Sequence, residues 1–441
     1  MSTMEHYRQI FADADMVGKD IDWLAAGREK ALAEFEQSGF PTSRNEDWKY
    51  TRVNPIEKKA WNWSGKTCVG LDPEDLNDYV FERKNSHVLV FVNGWFQPQL
   101  STKHELPQGV TLSSMAAQIA DGADELKPYL GKIAQNNNGF MALNTAFSND
   151  GAYLHVAQNV TLDKPVQLVF IATRQSDPVF TNTRNLIVLE RGAQAQVVET
   201  YGFISGEPEN FTNAITEAVV AEGARLYHNI AQRESEQGYH VSTVAATVAK
   251  DGHFEQNAIA IGARLMRTDI NVALTEPGAH ATLNGLYLPH KRQHMDYHTF
   301  IDHAAPRCTS EEVYRGVLDD AGRGVFNGKV LVREGAVQTN ADQSNKNLLL
   351  SKQAEVDTKP QLEIFNDDVK CSHGATIGQL NDLHIFYLRS RGLDEGQARS
   401  MLTYAFANEV VNRISLEPLR DRMSMAILDR MPGGEELKKL V

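Results

Sequence analysis

The sequence is poor in cysteine and has no long apolar run. Its three cysteines, Cys68, Cys308 and Cys371, are odd in number and widely spaced over 441 residues, which is not typical of a disulfide framework. We therefore expect a reducing compartment. No stretch approaches the roughly 18 apolar residues of a membrane-spanning helix. The first residues also lack the basic and apolar segments of a signal peptide, so the sequence predicts a soluble, cytoplasmic protein.

Positive charge is also scarce. The formal net charge is −13, which argues against general nucleic-acid binding, because neutralising phosphates needs clustered Lys and Arg. With 42% hydrophobic and 23% charged residues the composition is that of an ordinary globular protein. The length suits two or three domains.

Common catalytic motifs are missing from the sequence. The segment from Gly322 to Val330 comes nearest to a Walker A loop, but its glycine spacing is wrong and Val330 stands where a hydroxyl should meet magnesium. There is no Gly-x-Ser-x-Gly, no His-Glu-x-x-His and no Cys-x-x-Cys. The residues by themselves show no catalytic machinery.

Turn residues recur at a nearly constant step between residues 151 and 375. The steps are 31, 29, 26, 28 and 29 residues, through Gly192, Gly223, Gly252, Gly278, Pro306 and Gly335. A second series lies about halfway between, at Gly206, Gly238, Gly262, Pro289 and Gly322. Two strands and two turns would fill each step, which predicts a mainly β fold, a flattened β-helix of stacked two-strand coils. A β-sandwich is the alternative.

The two ends of the chain have helical patterns. We predict a mostly helical N-terminal domain over residues 1–150, with a strand and hairpin around Asn93-Gly94, and a helical C-terminal domain over 376–441. The C-terminal helices have an apolar stripe that either packs against the end of the β-helix or binds a partner, or does both. Its members are Ala398, Met401, Leu402, Ala405 and Phe406.

Histidine and aspartate alternate in one predicted strand. His294, Asp296, His298 and Asp302 would share one face. On a β surface this pattern favours a polar, hydrogen-bonded outer face over a metal site. For Trp48 and Tyr50 we likewise favour packing over ligand binding.

The motif Cys371-x-His373 lies where the strands give way to helices. A thiolate and an imidazole suit iron and iron–sulfur clusters, and in an extended segment both side chains point the same way. Two ligands do not complete a site, so another chain would have to supply the rest. By spacing alone, a buried thiol with a structural histidine is favoured over a pair of ligands as the explanation of the motif.

Around this motif the sequence resembles the SufB/SufD family of the bacterial Suf iron–sulfur cluster assembly system, in particular its SufD members. The resemblance covers essentially the whole chain. It is carried by the segments 45–51, 92–94, 296–299, 302–303, 326–329, 360–376 and 386–392.

The resemblance implies a right-handed β-helix between helical end domains, and a non-catalytic scaffold in a SufBCD-type complex. A SufB-like paralogue would pair with the β-helix end, and a SufC-like ABC ATPase would dock on the C-terminal helices, where Met401, Leu402, Ala405 and Phe406 lie. Cys371 and His373 become candidate ligands of a transient iron or iron–sulfur cluster. No cofactor is expected to bind the chain alone stably; a flavin in the complex and a homodimer of the isolated chain stay open.

Two other functions remain as alternatives. A β-helix enzyme acting on carbohydrate would use the acids Asp296, Asp302, Glu311 and Glu312. An iron-binding protein would use the histidines around His294 and His298.

Overall fold

A computed structural model describes residues 3–66, 70–148 and 150–431, together with Gly434 and Lys438; Cys68 lies outside these ranges. The described chain forms two ten-stranded sheets. Sheet one contains β1 (Asn62–Trp63), β4 (Val110–Ser114), β5 (Ala152–Val156), β7 (Val179–Leu189), β9 (Asn210–Val220), β11 (Tyr239–Val248), β13 (Leu265–Leu274), β15 (His294–His303), β17 (Arg323–Val332) and β19 (Glu355–Ile364). Sheet two contains β2 (His87–Val92), β3 (Trp95–Phe96), β6 (Val166–Thr173), β8 (Gln194–Ile204), β10 (Arg225–Gln232), β12 (His253–Ala260), β14 (His280–Tyr287), β16 (Thr309–Leu318), β18 (Thr339–Leu349) and β20 (Val369–Gly378).

From β5 to β20 the chain alternates between the two sheets. Within this run each strand pairs in parallel with the strand or strands two places away, so the sixteen strands form eight stacked coils. This is a flattened β-solenoid, and the predicted fold class is confirmed. The β-sandwich alternative is wrong, because the sheets of a β-sandwich are antiparallel whereas these strands pair in parallel.

The two turn series occupy opposite sides of the solenoid. The series that begins at Gly192 connects sheet one to sheet two, and the series that begins at Gly206 connects sheet two back to sheet one. Gly192 has φ +68° and Gly278 has φ +77°, a conformation that favours glycine. The turns also stack: the N–H of Gly192 donates to the carbonyl of Glu222 in the next coil at 2.8 Å.

The space between the sheets is the main hydrophobic core. Alternate residues of each strand point into it; in β15 these include Met295, Tyr297 and Ile301, each at most 1% exposed. The other residues of each strand point outward and are covered where helices pack on the sheets.

N-terminal helices cover the outer face of sheet one. They are α1 (Thr3–Asp13), α2 (Asp22–Ser38), α3 (Asn54–Glu57), α4 (Met115–Gly122) and α5 (Gly139–Phe147). Their aromatic residues pack against Phe180 and Phe211 of the sheet. The turn at Asn93-Gly94 joins β2 to β3 as predicted, and the side chain of Asn138 caps α5.

The sheets begin within the N-terminal segment. β2 pairs with β6, and β4 pairs with β5, so strands from residues 87–114 extend both sheets. The division into 1–150, 151–375 and 376–441 stays a prediction.

The C-terminal segment forms three helices, α6 (Asp382–Ser390), α7 (Glu395–Val411) and α8 (Glu417–Arg430). α7 and α8 cover the outer face of sheet two, and α6 packs against α7. Val410 and Ile427 pack on outward apolar residues of the sheet such as Ile259, Leu286 and Val313. The expectation that these helices close the end of the solenoid is therefore wrong, because the apolar surface that they cover lies on its side. No helix in the described ranges is long and apolar enough to cross a membrane.

Candidate functional site at the open end of the solenoid

The last coil leaves both sheets with an unpaired edge. β19 pairs only with β17 and β20 only with β18, so one row of backbone N–H and C=O groups on each strand has no strand beside it. We call this region the open end. Unpaired strand edges are sites at which another chain can add strands.

Large apolar side chains are exposed on the last coil and on α6, which follows it in the chain. They are between 39% and 70% exposed, and large exposed apolar patches are typical of interaction sites. This open-end patch consists of Ile364, Phe365, Ile377, Leu383, Phe386 and Tyr387.

Cys371 and His373 lie on β20, within this last coil. The segment is extended, as the sequence analysis assumed, so both side chains lie on the same face. Cys371 is half-buried and packs against a small apolar cluster with Leu362 and Val369, so this face is the inner one. His373 is exposed.

The surroundings of Cys371 favour the neutral thiol. Burial raises the pKa of its thiol, and the nearby backbone of Ala341 only partly opposes this. A thiolate would therefore form when a metal or a cationic group arrives. Among the residues that the structure describes, no group of three or more His, Cys, Asp or Glu could hold a metal ion. Within the described residues, Cys371 and His373 therefore have no third such side chain beside them with which to hold a metal ion.

Two residues beneath His373 were not connected with the site by the sequence analysis. In the strand register Gln343 lies opposite His373, and Glu312 lies opposite Gln343, all on the inner face of sheet two. Gln343 Nε2 donates to the Glu312 carboxyl group, and both side chains are at most 1% exposed. Burial raises the pKa of Glu312 to about 7. Glu312, Gln343 and His373 are separated by one coil each, and this spacing is the sequence signal that could have identified them.

His294 and His298 of β15 belong to a hydrogen-bonded network on the outer face of sheet one. Thr51 Oγ1 lies 2.8 Å from His294 Nε2 and donates to Asp296 Oδ2 at 2.5 Å. Arg267 Nη1 donates to the same oxygen at 3.1 Å. Burial by itself would raise the pKa of Asp296, but His298 and Arg267 outweigh it and hold the pKa below its usual range.

Trp48 completes this network. The Arg267 guanidinium stacks 3.7 Å from the centre of the Trp48 ring, which is itself buried. The preference for packing at Trp48 and for a hydrogen-bonded face at His294 and His298 agrees with this geometry.

The four acids of the carbohydrate-enzyme alternative do not converge. Asp296 is in the network above and Glu312 lies inside the solenoid. Asp302 pairs with Arg333 at 2.6 Å, and Glu311 pairs with Arg413 at 2.7 Å. A hydrolase would need two carboxyl groups facing one cleft.

The predicted partner-binding residues lie on α7. Met401, Leu402 and Phe406 are half-buried and Ala405 is exposed. Ala407 and Val410 are buried in the contact of α7 with sheet two, and Phe406 packs against the same cluster.

Sequence comparisons place the whole chain in one family. Residues 1–168 match the SufBD protein N-terminal region, and residues 170–406 match the SufBD core domain of SUF system FeS cluster assembly. An iron–sulfur cluster assembly SufBD family protein of Synechocystis is 33% identical, over 95% of this chain and 94% of its own length. The iron–sulfur cluster assembly protein SufD of Escherichia coli is 31% identical, over 91% and 92%, and the chloroplastic protein ABCI7 of Arabidopsis thaliana is 28% identical, over 90% and 83%. With both regions matched and such relatives aligned over nearly their full length, the chain belongs to the SufBD family of the SUF system of iron–sulfur cluster assembly.

Proposed function

We propose that this chain is a non-catalytic scaffold subunit of a SufBCD-type complex. It pairs with a SufB-like paralogue through its open end and presents Cys371 and His373 to iron or a nascent cluster at the shared interface. It docks a SufC-like ABC ATPase on its C-terminal helices, and the ATPase activity belongs to that partner. A flavin in the complex stays a prediction from the resemblance.

The observation that supports the proposal is the combination of an unpaired sheet edge, exposed apolar side chains and the pair Cys371 and His373 on the last coil. A paralogous solenoid could continue both sheets by strand pairing at its own open end and cover the open-end patch. It would also bring further ligands to Cys371 and His373. Iron and the cluster are the cargo of the site.

The contacts of α7 support a route from the ATPase to the open end. Arg315 of β16 holds Glu409 of α7 by two hydrogen bonds, of 2.6 and 3.1 Å. Arg413, just after α7, holds Glu311 of the same strand at 2.7 Å. β16 pairs with β18, which pairs with β20. A movement of α7, caused by a conformational change of the docked ATPase, would therefore reach β16. This strand lies two strands from β20, which carries His373.

The test is purification of the tagged chain from its own cells, as wild type and as His373→Ala, Cys371→Ser and Ala405→Arg. We expect the wild type to recover a paralogous subunit and an ABC ATPase. His373→Ala should keep both partners and lower the iron and sulfide content at least several-fold, because it removes only an exposed ligand. Ala405→Arg should lose the ATPase and keep the paralogue.

Ser372→Ala is the matched control for the ligand pair. Ser372 lies between the two ligands on the opposite face of β20 and bonds Asp342, so its loss should leave cluster content unchanged. Full cluster content in His373→Ala contradicts the ligand role. Recovery of the chain without any partner contradicts the scaffold role.

A further inference from the structure

A cavity of about 580 Å³ lies between the N-terminal helices and the outer side of sheet one. α2, α4, α5 and the segment 130–137 form its walls. Its size is in the range of small-molecule sites. One part of the wall is apolar and includes Trp23, Leu24, Met115, Ile119 and Leu130.

The lining also contains Arg28, a buried cation on α2 about one helical turn from Leu24. Its side chain belongs to a residue that is 4% exposed, and it donates to the carbonyls of Val17 at 2.8 Å and Ser148 at 3.1 Å. No carboxylate of the described chain lies within ion-pair distance of it. Burial without such a partner lowers its pKa to about 10. A buried guanidinium normally has a carboxylate or another anion beside it.

The other charges of the wall leave this positive charge uncompensated. Arg184 is neutralised by Glu217, which it meets at 2.7 and 2.9 Å. Lys30 faces Glu34 at 3.7 Å. Lys132 is exposed at the rim. The cavity therefore combines an excess of positive charge in one part of its wall with an apolar surface in another.

We propose that this cavity binds a small organic anion, with a carboxylate or phosphate held near Arg28 and Lys132 and an apolar body against Trp23. The site lies on the side of the solenoid and does not depend on the function proposed for the open end. Neither an apolar ligand nor a bare inorganic ion would use both parts of the wall.

The test is binding of 8-anilinonaphthalene-1-sulfonate to the purified full chain, followed by dye fluorescence. Gly27 of α2 lines the cavity, and a Cβ placed on it meets no atom within 4 Å. Gly27→Phe should thus fill the cavity without disturbing the helix, and Gly27→Ala is its matched control. We expect saturable binding by the wild type and Gly27→Ala, and at least tenfold weaker binding by Gly27→Phe.

Further binding experiments distinguish the contribution of charge from that of apolar contact. N-phenyl-1-naphthylamine, the same dye without the sulfonate, should bind at least tenfold more weakly, and Lys132→Gln should weaken binding of the sulfonate dye several-fold. Octanoate or phenyl phosphate should displace the dye, and which of them does so tells a carboxylate site from a phosphate site. Equal binding by Gly27→Phe, equal binding of the neutral dye, or no displacement by either anion overturns the proposal.

Discussion

Two buried glutamates inside the solenoid differ in their electrostatic surroundings. Burial by itself would raise the pKa of Glu199, but His228 at 2.9 Å and Thr216 help to hold the pKa below its usual range. Glu312 has an amide donor, Gln343, and burial dominates, so its pKa rises to about 7. The same residue type is therefore ionised in one coil and mostly protonated below neutral pH in another.

This difference gives Glu312 a pH-dependent effect on stability. Its pKa is higher in the folded than in the unfolded chain, so between about pH 4 and about pH 7 the folded state holds the proton that the unfolded state has lost. Stability falls as the pH rises through this window, by about 3 kcal/mol in total. We expect Glu312→Gln to remove this fall, because the Gln343 amide can turn and accept the new N–H.

The measurement is the free energy of unfolding in denaturant from pH 5 to pH 8. The stability of Glu312→Gln relative to the wild type should increase with pH. Glu334→Gln, at an exposed position, is the control and should follow the wild type. Parallel profiles for the wild type and Glu312→Gln would rule out a raised pKa at this position.

At the scale of elements, the sequence predicted the strands well because the turns carry local signals. Gly192, Gly223, Gly278 and Gly335 all have positive φ, and this requirement is visible in the residue type. The packing of the segment around Trp48 on β13 and β15 could not be predicted in the same way. The contact between Trp48 and Arg267 joins residues far apart in sequence, and no periodicity announces it.

The candidate site likewise contains one feature that could be predicted from the sequence and one that could not. The extended motif Cys371-x-His373 could be located from the sequence, since its geometry follows from the strand period. The Glu312–Gln343 pair beneath it depends on the register between coils, which turn positions define only to within a few residues.

A close approach of two helices gives a second prediction. A Cβ on Gly139, the first residue of α5, would lie 1.9 Å from the carbonyl oxygen of Gly39, which follows α2. Gly139→Ala should force these helices apart and lower the free energy of unfolding by about 1–3 kcal/mol. Gly27→Ala, in open space on α2, should instead raise it by about 0.5–1 kcal/mol. Chemical denaturation of both variants checks the pair, and a shift of the same sign in both would contradict the argument.

At the scale of the whole molecule, apolar exposure is concentrated at one end. Six of the eight large apolar side chains that are strongly exposed in the described chain belong to the open-end patch. A surface of this kind beside unpaired strand edges favours association with another chain, including a second copy when the paralogue is absent.

Self-association of the isolated chain tests this asymmetry. We expect Ile377→Lys to shift the purified chain toward monomer in sedimentation velocity at concentrations where the wild type dimerises, since it places a charge in the patch. Met425→Lys changes an exposed apolar residue on α8, on the side of the solenoid, and should sediment like the wild type. Equal sedimentation of Ile377→Lys and the wild type would show that the open end does not form the contact between two copies.

Because the coils stack uniformly, the number of coils determines the length of the solenoid. Seven steps separate the first coil from the last, and neighbouring strands lie about 4.8 Å apart, so β6 and β20 are held about 34 Å from each other. Removing one whole coil would keep every strand paired and every turn stacked, yet bring the N-terminal helices about 4.8 Å nearer to Cys371. The number of repeats, which no single residue specifies, thus sets how far apart this chain can hold whatever binds at its two ends.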